Sequence, residues 1–168
     1  MARLKFYEVD EVYISFLTDV DARVPRINYS DEGRRRKFLC GIVLKVNNHA
    51  YFAPVSSFRK QLRSNYIIKD RKGHPVASLR FSYMIPVPLD VLQLKDLNKE
   101  DPKYRNFLDI ELRYINKNVR AILTRAKYVY NSVVEKADSE MVRTCCNFKA
   151  LEIACFEYMK AHVKQNEQ

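Results

Sequence analysis

Glycine is scarce in this chain, with three residues in 168. Neither a GxxxxGK[ST] loop nor a G-x-G-x-x-G turn is present, so nucleotide-cofactor binding has no support. The G-x-S-x-G pattern is also missing, and Ser56 and Ser57 are therefore not a hydrolase nucleophile elbow. No His or Asp is placed to complete a triad with either serine. No stretch approaches the ~20 apolar residues of a membrane-spanning helix. The opening MARLKFYEVDEVY interrupts its apolar residues with charges and lacks a signal-type core, so a cytoplasmic location is expected. Cys40, Cys145, Cys146 and Cys155 include no C-x2-C pair, and two of them are adjacent. They read as reduced thiols serving as small core residues. With His49, His74 and His162 scattered, no metal site and no cofactor are expected. Internal repeats, low-complexity tracts and linkers are absent too, which predicts one domain over residues 1–168.

What the chain has is charge. Thirty Lys and Arg stand against twenty Asp and Glu, a formal net charge of +10. An excess of this size suits a polyanionic partner, nucleic acid above all, although a basic soluble protein needs no such partner. The apolar fraction of 47 % separates the chain from disordered sequences and supplies a core.

The composition shifts along the chain. Strand patterns dominate up to about residue 95 and helical periodicity follows, the segregated order of an α+β fold. Strands are expected at Leu4–Val9, Phe38–Val46, Ala50–Val55, Tyr66–Lys69 and Val76–Val87. Glu11–Leu17 reads as a short helix with Val12, Phe16 and Leu17 on one face, and a polar loop runs from Val20 to Arg36. Asn47-Asn48 is hairpin-turn chemistry, because Asn tolerates positive φ. Five or six short twisted strands of this size can close into a small barrel. Asp101-Pro102 signals a helix start, followed by Tyr104, Phe107, Leu108, Leu112 and Ile115 at a 3.6 period. A second helix is expected over Val119–Lys136, and Asn147 caps a third with Leu151, Ala154, Cys155 and Tyr158 inward.

Between Arg34 and Lys60 the sequence reads RRRKFLCGIVLKVNNHAYFAPVSSFRK. Four consecutive cations enter one strand, and a turn leads into a second that ends at Ser56-Ser57 with Arg59 and Lys60 behind. RNA carries its own nucleophile, the 2′-hydroxyl beside each phosphodiester. Cleavage then requires alignment, proton transfer and stabilisation of a crowded phosphorane. Lys37, Ser56, Ser57 and Arg59 have the chemistry for these tasks, since cations offset phosphoryl charge and hydroxyls donate or accept. Taken alone, the pattern also fits a solvated basic rim.

Further residues narrow the choice. In order along the chain they are Lys5-Phe6-Tyr7, Tyr13-Ile14, Val24-Pro25, Lys37, Gly41-Ile42-Val43-Leu44, Tyr51, Ala53-Pro54, Ser56-Ser57, Phe81, Met84-Ile85-Pro86 and Cys146-Asn147-Phe148. The chain resembles the ToxN/AbiQ family of type III toxin–antitoxin endoribonucleases, including its CptN-type members, over nearly its whole length. The resemblance implies a twisted barrel core related to the MazF/Kid toxins, elaborated with helices. It implies metal-independent RNA cleavage by 2′-hydroxyl attack, leaving a cyclic phosphate. The implied partners are cellular RNA substrates and a small repeat RNA antitoxin, folded as a pseudoknot. The toxin cuts that antitoxin from a precursor and is held by it in a closed toxin–RNA assembly.

Position by position, the resemblance places Ser57 on the family's active-site serine and Ser56 where many members have threonine. Lys37 falls on the active-site lysine, and Arg59 on a second basic residue that is usually lysine. Gly33 stands where some members carry a tyrosine, with Tyr29 nearby but displaced, and Phe58 stands where proline is common. Arg34, Arg35, Arg36, Lys60, Arg63, Lys69, Arg71 and Lys72 are the expected RNA-binding cations around the site. Tyr13 reads either as a phosphate or base contact or as a core tyrosine. Arg113, Lys117, Arg120, Arg125 and Lys127 fall on predicted helices away from this centre. The reading is thus an endoribonuclease toxin, with a non-catalytic RNA-binding module on the same basic face as the alternative. A DNA-binding regulator lacks any helix-turn-helix signature.

Overall fold

The computed structural model describes residues 3–26 and 37–166, with side chains as far as residue 163. Strand β1 (Lys5–Val9) buries Phe6 and Val9. The chain then turns into helix α1 (Glu11–Val20), where the Asp10 carboxylate accepts from the Val12 N–H at 2.8 Å, an N-cap. The inward face of α1 is Tyr13, Ile14 and Leu17. Val12, expected inward, is 68 % exposed, and Phe16 is only partly buried, against Tyr158. The large Tyr13 ring takes the core position because its hydroxyl finds the Pro86 carbonyl.

Strands β2 (Leu39–Val46) and β3 (His49–Ser56) form the central hairpin. Asn47 and Asn48 adopt φ of 51° and 64°, the two positive values that a tight two-residue hairpin turn demands. Gly41 lies opposite Phe52, whose ring occupies the space a Cβ would need. The register slips between Gly41 and Leu44, which bends the hairpin. Strands β4 (Asn65–Lys69) and β5 (Pro75–Arg80) follow, joined through Gly73 at φ 83°. The single strand expected over 76–87 is broken by a 3-10 turn at Phe81–Tyr83, after which β6 (Ile85–Pro86) pairs with β3. An unanticipated strand, β7 (Leu92–Leu94), adds to β1.

The sheet order is β4-β5-β3-β2-β1-β7, with β6 attached to β3. The α+β reading holds. Barrel closure does not: β4 and β7 lie at opposite ends of the order, and among the described residues no pairing joins them.

The helical half follows its caps. Asp101 accepts from the Tyr104 N–H at 3.0 Å and Pro102 opens α2 (Pro102–Lys117). Leu108 and Ile115 face the core, whereas Phe107 turns outward. Helix α3 (Val119–Val134) buries Ile122, Ala126, Val129 and Tyr130. A short helix, α4 (Ser139–Thr144), starts on Asp138. Asn147 accepts from the Ala150 N–H at 3.1 Å and caps α5 (Phe148–Asn166). All four cysteines are buried free thiols. Burial of each large core side chain, Phe6, Phe52 and Phe81 among them, stabilises by about 1.5–3 kcal/mol.

A polar network fastens this half to the hairpin. The Tyr51 and Tyr130 hydroxyls donate to Glu152 Oε2 at 2.6 and 2.7 Å, and the Asn47 amide donates to Oε1 at 3.1 Å. Burial alone would raise the Glu152 pKa. The three donors outweigh it and hold the carboxyl below its usual range.

Candidate active site

The site is a consequence of register. Leu39 pairs with Pro54 in the antiparallel β2–β3 ladder, and Val55 N–H donates to Phe38 carbonyl at 3.4 Å. Two residues further on each strand, Lys37 therefore arrives beside Ser56. On the other flank of β3, Val55 pairs with Leu79 and Ser56 with Ser78, which delivers Arg80 to the same edge. A cleft of about 240 Å³ opens there, lined by Arg23, Lys37, Ser56, Arg80 and Tyr83 with Pro25, Pro54 and Val55. Three of those side chains are cationic, and none is a carboxylate, imidazole or thiol.

Ser56 Oγ accepts from the Phe58 N–H at 3.2 Å. That bond shapes the bend after β3 and leaves the hydroxyl proton able to donate into the cleft. Ser57 is exposed at the bend and Arg59 and Lys60 follow it, also exposed. These three adjoin the cleft through the chain and are not part of its wall. Phe58 lays its ring under Arg80, 4.4 Å from the guanidinium carbon.

Arg23 is held firmly. Its Nε donates to Asp21 Oδ1 at 3.0 Å and its Nη1 to the Val142 carbonyl at 3.1 Å. Asp21 Oδ2 accepts the Asn147 N–H at 2.7 Å, at the start of α5. Burial opposes ionisation of Asp21, but Arg23 and the backbone donors prevail and keep its pKa below the ordinary value.

The expected RNA-binding cations divide. Arg34, Arg35 and Arg36 lie outside the described residues, as do Gly33 and Tyr29. Lys69 and Arg71 do not flank the cleft. They line a separate groove of about 850 Å³ with Arg3, Arg113 and Lys117, so two of the five helical cations set apart by the sequence join them there. Lys72 is exposed on the turn beside that groove, its N–H donating to Asp70 Oδ1. Arg63 is engaged on the surface with Asp138 at 2.9 Å, Glu140 at 3.4 Å and the Tyr128 hydroxyl at 3.0 Å. Tyr13 is fully buried, and of its two readings the core tyrosine is correct; it has no surface to offer RNA.

The sequence did not single out Arg23, Arg80 or Tyr83 as site residues. Arg23 sits in a stretch read as loop. Arg80 sits in a segment read as one continuous strand, although Ser78 and Arg80 alternate with buried Ala77 and Leu79.

Comparison with known proteins agrees with this architecture. A solved structure of AbiQ, a lactococcal anti-phage endoribonuclease of the type III toxin–antitoxin class, superposes with a TM-score of 0.84 at 26 % identity, covering 95 % of this chain and 99 % of that one. A second solved structure, from work on type III toxin inhibition by a non-coding RNA pseudoknot, gives 0.84 at 24 % identity over 94 % and 99 % and speaks for the fold. Endoribonuclease ToxN of Bacillus thuringiensis subsp. kurstaki is 28 % identical over 165 residues, 92 % of this chain and 84 % of that protein. The family model for toxin ToxN of type III toxin–antitoxin systems matches residues 5–156, and the chain belongs to that family.

Proposed function

We propose that the chain is an endoribonuclease toxin that cleaves RNA by attack of the 2′-hydroxyl on the adjacent phosphodiester, without a metal. The observation that carries this reading is the cleft in which Lys37 and Ser56 meet two arginines. Among the described residues its wall offers cations and hydroxyls, the groups that stabilise a phosphorane, and not the carboxylate or imidazole oxygens and nitrogens that hold divalent ions.

In the proposed step the 2′-oxygen bonds to phosphorus and the bond to the 5′-oxygen breaks. The 2′-hydroxyl loses its proton, the leaving oxygen gains one, and a 2′,3′-cyclic phosphate remains. Lys37 moves a proton or offsets the developing charge. Ser57 orients the reacting phosphate or 2′-hydroxyl from the bend, with Ser56 as a supporting donor. Arg59 neutralises charge from the loop. Being a guanidinium, it does not shuttle protons.

Membership in a type III family supports a small RNA antitoxin as partner. The proposed antitoxin is a pseudoknotted repeat RNA that the toxin cuts from its precursor and that holds it in a closed toxin–RNA assembly. Lys60, Lys69, Arg71 and Lys72 are the proposed phosphate contacts, with Arg34, Arg35 and Arg36. Residues 1–168 act as one domain. No helix among the described residues is long and apolar enough to cross a membrane; the proposed location is the cytoplasm.

The test is incubation of the purified protein with its own transcript in EDTA, resolved on a denaturing gel. Discrete fragments with cyclic-phosphate ends are expected, strongly reduced by Ser57→Ala and Lys37→Ala. RNA that is bound but stays intact would overturn cleavage in favour of a binding module.

A further inference from the structure

Among the described residues, Arg80 differs from the other arginines around the sheet edge. Arg23 is answered by Asp21 and two carbonyls, and Arg63 by Asp138, Glu140 and Tyr128. Arg80 has no acidic partner, and its buried Nε has no hydrogen-bond partner at all. What fixes it is stacking: the guanidinium carbon lies 4.4 Å from the Phe58 ring centre and 5.1 Å from that of Tyr83. Two aromatic rings thus pack against the guanidinium while its buried Nε goes unmatched. Ser78 Oγ, two residues earlier on the same face of β5 and paired across from Ser56, is likewise buried and unpartnered.

Buried donors in native proteins nearly always find partners, so an unmatched guanidinium Nε in a cleft wall points to an acceptor that arrives with a ligand. The cleft is cationic, and a planar fork held flat by aromatic rings suits a tetrahedral oxyanion, to which arginine donates two parallel bonds. We infer that Arg80 is a phosphate-binding residue of this site, pre-set by Phe58 and Tyr83 to receive the non-bridging oxygens of the bound phosphodiester. The assignment rests on the RNA-cleaving reading for its substrate and goes beyond the residues that the sequence picked out. It also gives Phe58 a purpose: its ring is one wall of the slot.

The test compares wild type, Arg80→Gln, Arg80→Lys and Phe58→Leu in two assays, with thermal melts as a control. The first is single-turnover cleavage of the protein's own transcript at saturating protein. The second is anisotropy, from low to high salt, of a fluorescein-labelled mixed-sequence 20-mer made entirely of 2′-O-methyl nucleotides, which cannot be cleaved. Arg80→Gln should slow cleavage about 100-fold, the loss typical of one preorganised charge-stabilising donor. It should also lower the slope of log affinity against log salt by about 0.7, one phosphate contact on a single strand. Arg80→Lys should keep the slope but recover only part of the rate, because an ammonium has no fork. Phe58→Leu should keep the slope and slow cleavage about tenfold, a partial loss of positioning. Arg80→Gln that cleaves within about threefold of wild type overturns the assignment. If Arg80→Gln does not fold, unchanged rates in both Arg80→Lys and Phe58→Leu overturn it. If wild type fails to cleave, the RNA-cleavage reading falls by itself, and the salt slope decides: reduced in Arg80→Gln upholds Arg80 as a phosphate ligand, unchanged removes it.

Discussion

The two ends of strand β3 treat buried polar groups in opposite ways. At the turn end, Glu152 gathers the hydroxyls of Tyr51 and Tyr130 and the amide of Asn47, so three elements are fastened by one satisfied carboxylate. At the Ser56 end, Ser78 Oγ and Arg80 Nε are buried without partners, and Ser82 Oγ is too. The first arrangement is complete without any ligand. The second leaves polar atoms open, where the phosphate inferred above would bind. The contrast separates polar burial that holds the fold from polar burial that awaits a substrate, and it is measurable because the two should respond to mutation in different assays.

The largest expected effect is at the open end. Lys37→Ala and Ser57→Ala should each slow RNA cleavage about 1,000-fold, roughly 4 kcal/mol of barrier, with melting temperature unchanged. Single-turnover rates beside thermal melts check this, and a fall in both together would erase the distinction. At the closed end the signs exchange. Glu152→Ala leaves two tyrosine hydroxyls and an amide unmatched and should cost about 3 kcal/mol of stability in urea titration. Its cleavage rate per folded molecule should match wild type.

Glu111 sharpens the comparison from a third position. It is buried on α2 with Oε2 unpartnered, and burial pushes its pKa up to about 7. The folded pKa exceeds the unfolded one, so the folded state binds the extra proton between the two values. Its contribution is fully present below the unfolded value of 4.5 and is lost as pH rises to about 7. The total is about 3 kcal/mol. Glu111→Gln should flatten that part of the pH profile, raising the melting temperature at pH 8 and leaving it nearly unchanged at pH 4.5. A profile still as steep in the variant would place the titrating group elsewhere. The smallest effect belongs to the surface ion pairs. Arg63→Ala should lower the melting temperature slightly at low salt, and the difference should vanish in molar salt.

Local signals in the sequence proved sound where the chemistry is local. Asp101 and Asn147 cap the helices they precede, and Asn47-Asn48 makes the turn, because each acts on backbone within a few residues. Lys37 and Ser56 were both legible as candidates in the Arg34–Lys60 stretch, and the register of the hairpin sets them side by side. Arg80 was not, since its neighbours Phe58 and Tyr83 meet it only once β5 has paired with β3. The inward face of α1 was misread for a similar reason: the acceptor for Tyr13 is Pro86, far along the chain. The grouping of Lys69 and Arg71 with the cleft failed because charge alone carries no direction, and the β4–β5 turn points them toward α2.

The Asp21 carboxylate has a consequence for how this protein loosens. One oxygen takes Arg23 and the other takes the N–H of Asn147, the cap of α5, so the wall of the cleft and the C-terminal helix share one anchor. Amides at the start of α5 and around Arg23 should then exchange with deuterium as a single cooperative unit. Detachment of the C-terminal helix would release Arg23 from the cleft before the central hairpin opens, and Asp21→Asn should speed exchange in both segments by the same factor.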